Sequence, residues 1–416
     1  MGRASALLAF ASVGAGCDCL GYAVHLVDAS GTDAAGTEGD AAEPPDDPRR
    51  PGRTLDAAPD AEAPPEPAPE DAAPEDAAPC DPVDEGPEWD DAEWNTEVPD
   101  QDGGQYTSVA VGADGVVHIT YFDKEDHSLR HVWGGPGDWH QETIDDDGAG
   151  SWTSLEIDAD GALHVTYSTP GVVELRYATN GSGAWTTEVL EGEGNPGAWT
   201  SLALDADGAA HVSFQFTSRG DLGYASNASG EWVLETVDWP GQTGAYSSLA
   251  LDAGGGVHIA YLDQTVFAVR YATNATGAWM TQTIDDDGTL PALAIDSFGT
   301  EHLLYYSIAD EEMHARRTEC GLWSEEEVVA PGIPQTSTAL AASPDGTVHA
   351  VFDIVDGVGR DLRGLQHYVR GSSWSRTGIG GIGKYVSVAV SADLRVSVSA
   401  WAQGPDELLY LWRDPE

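Results

Sequence analysis

Basic side chains are scarce in this sequence. Its 416 residues include 18 lysines and arginines against 71 aspartates and glutamates, a formal net charge of −53. Only two of the basic residues are lysines, Lys124 and Lys384. A chain so charged is repelled by DNA, RNA and anionic lipid surfaces, which excludes nucleic-acid binding as its function. The acidic surplus is typical of a solvated, soluble surface, and it also suits a salty habitat or a cationic partner.

Cysteine and long apolar segments are scarce as well. The four cysteines, Cys17, Cys19, Cys80 and Cys320, form no Cys-x-x-Cys pair and no cluster with histidine at zinc spacing, so we expect no metal site. Cys80 and Cys320 are open to two interpretations, a disulfide in an exported protein or two free thiols. No apolar run is long enough to span a bilayer as a mature helix.

The N-terminal residues resemble a bacterial lipoprotein signal. One arginine precedes a short apolar run, residues 6–13, which is followed by Gly14-Ala-Gly-Cys17. The resemblance implies removal of residues 1–16, lipidation of Cys17, and an exported protein whose only membrane contact is a lipid anchor at the cell envelope or surface. Secretion without lipid and absence of a signal stay open, because Gly14 stands where such signals usually have leucine.

Residues 17–93 are predicted to be a disordered acidic linker. From Asp28 to Glu93 it consists mostly of Ala, Pro, Asp, Glu and Gly, with almost no aromatic or branched apolar side chains. It cannot bury enough surface to offset the entropy of ordering, and its charges and prolines favour an extended spacer. From Trp94 onward, Trp, Tyr, Val, Leu and Gly dominate, which indicates a globular domain over residues 94–416.

A repeat organises this globular part. One repeat position holds His118, His164, His211, His258, His302, His349 and Ser397, so the repeat is 44 to 48 residues long. In the second unit, four strand-like stretches, Thr153–Asp158, Ala162–Ser168, Glu174–Thr179 and Ala184–Leu190, are separated by turn sequences. Four short strands in a unit of this length are typical of a propeller blade, so the sequence predicts an all-β, seven-bladed β-propeller of four-stranded antiparallel blades.

Tryptophans mark the fourth strand of each unit. They are Trp139, Trp185, Trp232, Trp279, Trp323 and Trp374. The seventh unit ends before its fourth strand, and the missing sequence occurs at the start of the domain, where Trp94–Val98 matches Trp185–Val189. We therefore expect an N-terminal strand to complete the last blade, so that one chain closes the ring as a monomer.

The repeat resembles the sialidase-like BNR/Asp-box propellers over about three quarters of the chain. The resemblance implies architecture only. The family's Ser-x-Asp-x-Gly-x-Thr-Trp box is missing, since the turn here is Asp-x-Asp-Gly followed by the histidine. The Arg-Ile-Pro segment of sialidases is missing too, so no catalytic residue is carried over.

Two repeated residue types have a structural and a functional interpretation. The six histidines resemble a ring of metal ligands, but each follows the same turn in its own blade, which favours internal hydrogen bonding. The second type is an aspartate that precedes glycine in the turn: Asp114, Asp160, Asp207 and Asp345. Such an aspartate accepts a hydrogen bond from the backbone two residues on, and calcium at these turns is the alternative.

Candidate ligand-binding residues lie where the first strands open at the channel mouth. The opening residues are Tyr106, Trp152, Trp199, Tyr246, Leu290, Ser337 and Tyr385. Aromatic faces around a wet opening suit sugar rings or apolar side chains. Packing between blade tops is the structural alternative.

Two charged positions add to this candidate site. Glu156 is the only charge at a repeat position that holds alanine in the other six units. Residues that break a repeat in this way are often found at functional sites. A water-filled channel would also tolerate one carboxylate. Arg219, Arg360 and Arg363 are predicted to lie in loops of the same face, where they meet an anionic group or pair with aspartates.

Three functions are compatible with these features. The short loops and the single distinctive carboxylate favour a binding module for a glycan or an envelope protein. A glycoside hydrolase or polysaccharide lyase is the alternative, although hydrolysis requires two carboxylates about 5–10 Å apart. A purely architectural role is the third, because fold alone does not decide function.

Overall fold

The computed structural model describes residues 94–169, 174–319, 322–324, 327–355, 364–370, 373–377, 379 and 383–415. These residues form seven antiparallel sheets, one for each repeat. They contain no helix, and hence none long and apolar enough to cross a membrane. The predicted all-β, seven-bladed propeller is confirmed. The predicted signal, the linker and all four cysteines lie outside the described residues.

The strands follow the repeat, four to a blade. The first strand of the chain is β1 (Asn95–Asp100). Blade one comprises β2 (Gln105–Val111), β3 (Val117–Asp123), β4 (Ser128–Gly135) and β5 (Asp138–Asp145). Blade two comprises β6 (Ser151–Ile157), β7 (Leu163–Ser168), β8 (Leu175–Thr179) and β9 (Thr186–Val189). Blade three comprises β10 (Pro196–Leu204), β11 (Ala210–Phe216), β12 (Asp221–Ser226) and β13 (Val233–Asp238).

The remaining blades continue the same order. Blade four comprises β14 (Ala245–Leu251), β15 (Val257–Asp263), β16 (Ala268–Thr273) and β17 (Met280–Asp285). Blade five comprises β18 (Gly288–Ile295), β19 (Glu301–Ser307), β20 (Glu312–Glu319), β21 (Leu322–Trp323) and β22 (Glu327–Pro331). Blade six comprises β23 (Ile333–Ala342), β24 (Val348–Val355), β25 (Gly364–Arg370) and β26 (Trp374–Arg376). Blade seven comprises β27 (Lys384–Val390), β28 (Val396–Ala402) and β29 (Glu407–Arg413).

Observed strand bounds agree closely with the expected ones. In blade two every strand begins and ends within two residues of its predicted limits. The first strand starts earlier than predicted, at Ser151, because a bulge near its opening lets pairing with β7 continue past Trp152. Blade five is the irregular one, since β21 and β22 both pair with β20 and share the place of a single fourth strand.

The N-terminal strand closes the ring as predicted. β1 pairs antiparallel with β29, Asn95 opposite Trp412 and Glu97 opposite Tyr410. Just before β1, Trp94 packs on the apolar cluster of blades six and seven and meets His367 edge-on, with ring centroids 5.0 Å apart. Because the first and last strands of the domain share one sheet, β1 covers the outer side of β29 and gives the last blade its fourth strand.

The hydrophobic core is divided among the seams between adjacent blades. At the seam of blades two and three, for example, Leu175 and Tyr177 of one blade pack with Val212 and Phe214 of the next. Near the axis, the first strand of each blade contacts the first strand of each neighbouring blade. The first strands are therefore innermost, and their opening residues surround the channel mouth, as the sequence predicts.

Tryptophans in or directly before the outer strands add a polar link across several seams. Each donates its indole N–H to a glutamate on the outer strand of the preceding blade, at 2.8 Å: Trp139 to Glu97, Trp185 to Glu142, Trp232 to Glu188 and Trp279 to Glu235. An amphipathic ring with one end wet and one end apolar suits this position. The tryptophans thus cover the outer strands and the blade interfaces.

Candidate functional site

A bulge recurs where the innermost strands open. The register of the first two strands shifts at this point in all seven blades. At the bulge, six of the seven opening residues have a left-handed backbone with φ between 51° and 54°: Tyr106, Trp152, Trp199, Tyr246, Leu290 and Tyr385. Bulges re-aim side chains, and here the repeated bulge directs large side chains to one end of the channel.

The five aromatic side chains of this set form one continuous arc, the aromatic arc. It consists of Tyr385, Tyr106, Trp152, Trp199 and Tyr246, and so runs through blades seven, one, two, three and four. Along it, successive ring centroids lie 4.4, 5.4, 5.6 and 5.3 Å apart, and successive planes are tilted by 39° to 50°. In the other two blades Leu290, which is buried, and Ser337 take this place.

The aromatic arc fits both interpretations of its residues, ligand binding and packing between blade tops. Its rings do pack against one another between blade tops, as the structural interpretation requires. All five nevertheless remain partly exposed, so they also offer apolar area to solvent at the channel mouth. A bulky residue in the left-handed region costs on the order of 1 kcal/mol or more, and strain of this kind concentrates at functional sites.

Glu156 lies at the other end of the same innermost strand. It stands opposite His164, one residue from the end of β6 and four residues beyond Trp152. At about 3.3 Å per residue, the two Cα atoms are roughly 13 Å apart along the channel. The structure therefore does not bring Glu156 and the aromatic arc together around one sugar-sized group, and the combined site that the sequence suggests is divided in two.

The Glu156 carboxylate makes no hydrogen bond or ion pair with any described residue. Burial alone raises its pKa from the ordinary value of 4.5 to about 7. Protein surrounds the carboxylate, yet the side chain keeps partial contact with solvent, as expected of a residue facing a narrow channel. Glu156 is thus a group that exchanges a proton near neutral pH.

Arg219 lies on the same face as the aromatic arc but towards the rim. It follows β11 in the loop that leads to β12, and its Cζ stands 4.3 Å over the Phe216 ring. Its Nε pairs with Asp221 at 3.2 Å, and its Nη2 donates to Thr236 on the outer strand at 3.3 Å. Arg360 and Arg363, the other two candidate arginines, lie outside the described residues.

The repeated histidines are internal partners of their own blades. In blade three, His211 joins the carboxylate of Asp205 at 3.3 Å to the hydroxyl of Tyr224 at 2.6 Å. Blades two and four repeat this arrangement of aspartate, histidine and tyrosine. These bonds support an internal role over a metal ring, with a turn aspartate in place of the turn carbonyl as partner.

The turn aspartates divide into two groups. Asp114 and Asp345 accept from the backbone two residues on, as predicted. In blades two and three, the earlier aspartates Asp158 and Asp205 accept from the turn backbone instead of Asp160 and Asp207. Among the described residues, no group of three or more His, Cys, Asp or Glu is arranged to hold a metal ion.

Sequence reasoning missed a second polar link, which we call the seam bridge. At the seam of blades one and two, Asp145 accepts from Tyr167 at 2.8 Å and from Arg176 at 2.9 Å. The same aspartate–tyrosine–arginine set recurs at two other seams, as Asp238, Tyr261 and Arg270, and as Asp285, Tyr305 and Arg316. The repeat carried a signal for it, a tyrosine three residues after the histidine.

Comparisons with known proteins identify the fold and no family. No protein-family model and no curated protein matches the chain. Solved structures do match: an ulvanlyase, described as a polysaccharide lyase bound to -[GlcA(1-4)Rha3S]-, has 12% identity and a TM-score of 0.51 over 74% of this chain and 93% of its own. An Aleuria aurantia lectin with Fucalpha1-6GlcNAc has 15% identity and a TM-score of 0.45 over 67% and 97%.

A Penicillium chrysogenum alpha-L-arabinanase with arabinobiose has 12% identity and a TM-score of 0.45 over 63% of this chain and 92% of its own. These neighbours are carbohydrate-active enzymes and a lectin with propeller domains. Identities this low establish a shared fold alone. The chain is therefore similar to such proteins in being a propeller, and its own residues must argue its function.

Proposed function

We propose that this protein is a carbohydrate-binding module that holds a glycan on the aromatic arc. The supporting observation is the arc itself, five partly exposed rings that line the channel mouth in consecutive blades. Sugar rings stack on such faces through their C–H groups. The matched ulvanlyase was solved with a sugar fragment bound, so a propeller of this shape is able to hold one.

Spacing along the arc favours an oligosaccharide over a single sugar. Three successive centroid distances of 5.3 to 5.6 Å give adjacent sugar residues of one chain separate rings to contact. The tilt between planes makes the arc curved, so a bent or flexible glycan fits better than a straight one. Binding of this kind needs no catalytic pair, and Glu156 lies too far along the channel to act on a sugar held by the rings.

The chain's location is part of the same proposal. A signal that ends at Cys17 and the acidic stretch after it would export the propeller and hold it off the membrane on a lipid anchor. A propeller so placed reaches glycans of the envelope or of the surroundings.

A glycan array probed with the full chain tests this proposal. We expect binding to oligosaccharides, and at least tenfold weaker binding by the Trp199→Gly variant, because removal of an aromatic anchor typically costs about 2 kcal/mol or more. Glycine suits φ 51° without strain, so this variant deletes the ring and spares the fold. Trp279→Phe on the outer rim is the control and should bind like the parent.

Three outcomes would contradict the proposal. An array without any bound oligosaccharide would remove its basis, and equal binding by parent and Trp199→Gly would place the site away from the arc. Cleavage of a bound polysaccharide would show an enzyme instead of a binding module.

A further inference from the structure

The seam between blades two and three departs from the bridged seams at three positions at once. Where the seam bridge has aspartate, tyrosine and arginine, this seam has Glu191, Phe214 and Gly223. The Phe214 ring fills the space of the arginine, since a Cβ on Gly223 would lie 2.4 Å from Phe214 Cε2. Apolar packing, including an edge contact of Phe214 with Phe216 at 4.9 Å, replaces the ion pair here.

Loss of the bridge accompanies an open cleft of about 360 Å³ at the rim of this seam. One wall is the chain entering blade three, residues 191–193, and the other is the outer strand β13. Two glycines let the entering chain lie close: a Cβ on Gly192 would meet Leu234 at 3.0 Å, and one on Gly194 would meet Arg219 Nε at 2.7 Å. The volume is in the range of small-ligand sites.

The cleft holds polar groups of both signs beside apolar surface. Arg219 is held by Asp221 and Thr236 but keeps 43% of its side chain exposed, which leaves guanidinium N–H groups directed to solvent. The exposed carboxylates of Glu191, Glu193 and Glu235 also line the cleft. Trp232, Leu234 and Phe216 supply the apolar wall.

We infer that this cleft is a second carbohydrate site, one that binds a single neutral sugar residue. Vicinal hydroxyls accept hydrogen bonds from a guanidinium and donate to carboxylates, while the C–H face of the ring packs on Trp232 and Leu234. An anionic sugar is disfavoured because the lining carboxylates of Glu191, Glu193 and Glu235 outnumber Arg219. A cationic ligand is disfavoured because Arg219 lines the cleft and keeps part of its guanidinium exposed.

This site is independent of the aromatic arc. It lies on the outer part of blade three, and none of its lining residues belongs to the arc. A protein that lacks binding at the channel mouth would therefore still bind a sugar here, and the two proposals fail separately.

Saturation-transfer NMR on the full chain tests the inference with five neutral sugars: galactose, glucose, mannose, fucose and N-acetylglucosamine. The Trp199→Gly background weakens the contribution of the arc. We expect at least one sugar to bind this background, and about tenfold weaker binding after Arg219→Met is added, the effect of losing hydrogen bonds to a charged group. Arg395→Met, at an ion pair with Asp414, is the matched control and should change nothing.

Three results would overturn the inference. The first is that none of the five sugars binds the Trp199→Gly background. The second is that Arg219→Met leaves binding unchanged. The third is that glucuronic acid or lysine binds there more tightly than the neutral sugars. If Arg219→Met fails to fold by circular dichroism, Glu191→Gln serves instead, because it turns one acceptor oxygen of an exposed carboxylate into an amide donor and leaves the packing unchanged. Unchanged binding in Glu191→Gln would overturn the inference in the same way.

Discussion

Replacement of Glu156 by glutamine should stabilise the propeller above neutral pH and leave it unchanged in acid. The pKa difference between 4.5 and about 7, at about 1.36 kcal/mol per pH unit, corresponds to about 3 kcal/mol against the charged form. Residual solvent contact screens part of this, so we expect about 1–3 kcal/mol.

The sign of the pH dependence follows from proton linkage. Between pH 4.5 and 7 the folded protein binds more protons at Glu156 than the unfolded chain does, so wild-type stability falls as pH rises through this window. Glutamine does not titrate. The difference between variant and wild type should therefore be near zero at pH 4 and largest above pH 8.

Thermal unfolding at pH 4 and pH 8 measures this difference. At about 2 cal/mol/K per residue over roughly 320 residues, 1–3 kcal/mol corresponds to about 2–4 °C in Tm. Glu231→Gln, at an exposed loop glutamate, is the control and should not change Tm at either pH. Equal Tm values for Glu156→Gln and wild type at pH 8, or a lower one for the variant, would refute the reasoning and show that a partner holds the carboxylate charged.

The other predictions concern closure, a buried histidine, backbone strain and export. A chain that starts at Thr107 lacks β1 and Trp94 and should lose about 3 kcal/mol or more of stability; an unchanged Tm would contradict closure. Burial lowers the pKa of His349 to about 4, so wild-type stability should fall as pH drops from 6.5 to 4, and His349→Gln, followed by denaturant unfolding, should flatten that slope. Trp199→Gly should be about 1 kcal/mol more stable than Trp199→Ala, because only glycine adopts φ 51° freely; equal melting would show no strain. Mass spectrometry should find residues 1–16 absent and Cys17 lipidated, whereas an intact Met1 would refute the lipoprotein signal.

The outer-strand tryptophans show how much local pattern could predict. The tryptophan recurs at a fixed interval, and the sequence that matches Trp185–Val189 stands at the start of the domain, at Trp94–Val98. Together these two features specify seven blades and the strand that closes the ring. Neighbouring blades pack alike, so the repeat carries the architecture by itself. The internal role of the histidines followed from the same regularity, because residues at one repeat position have the same surroundings.

Tertiary structure alone decided which unusual residues share a site. Trp152 and Glu156 are four residues apart in sequence, yet an extended strand places them at opposite ends of the channel. Glu191, Phe214 and Gly223 look unremarkable one by one, and only the seam brings them together, where the bridge is lost and a cleft opens. Strand periodicity is a property of neighbouring residues, whereas a seam joins segments from two blades, so its chemistry is settled only when the sheets pack.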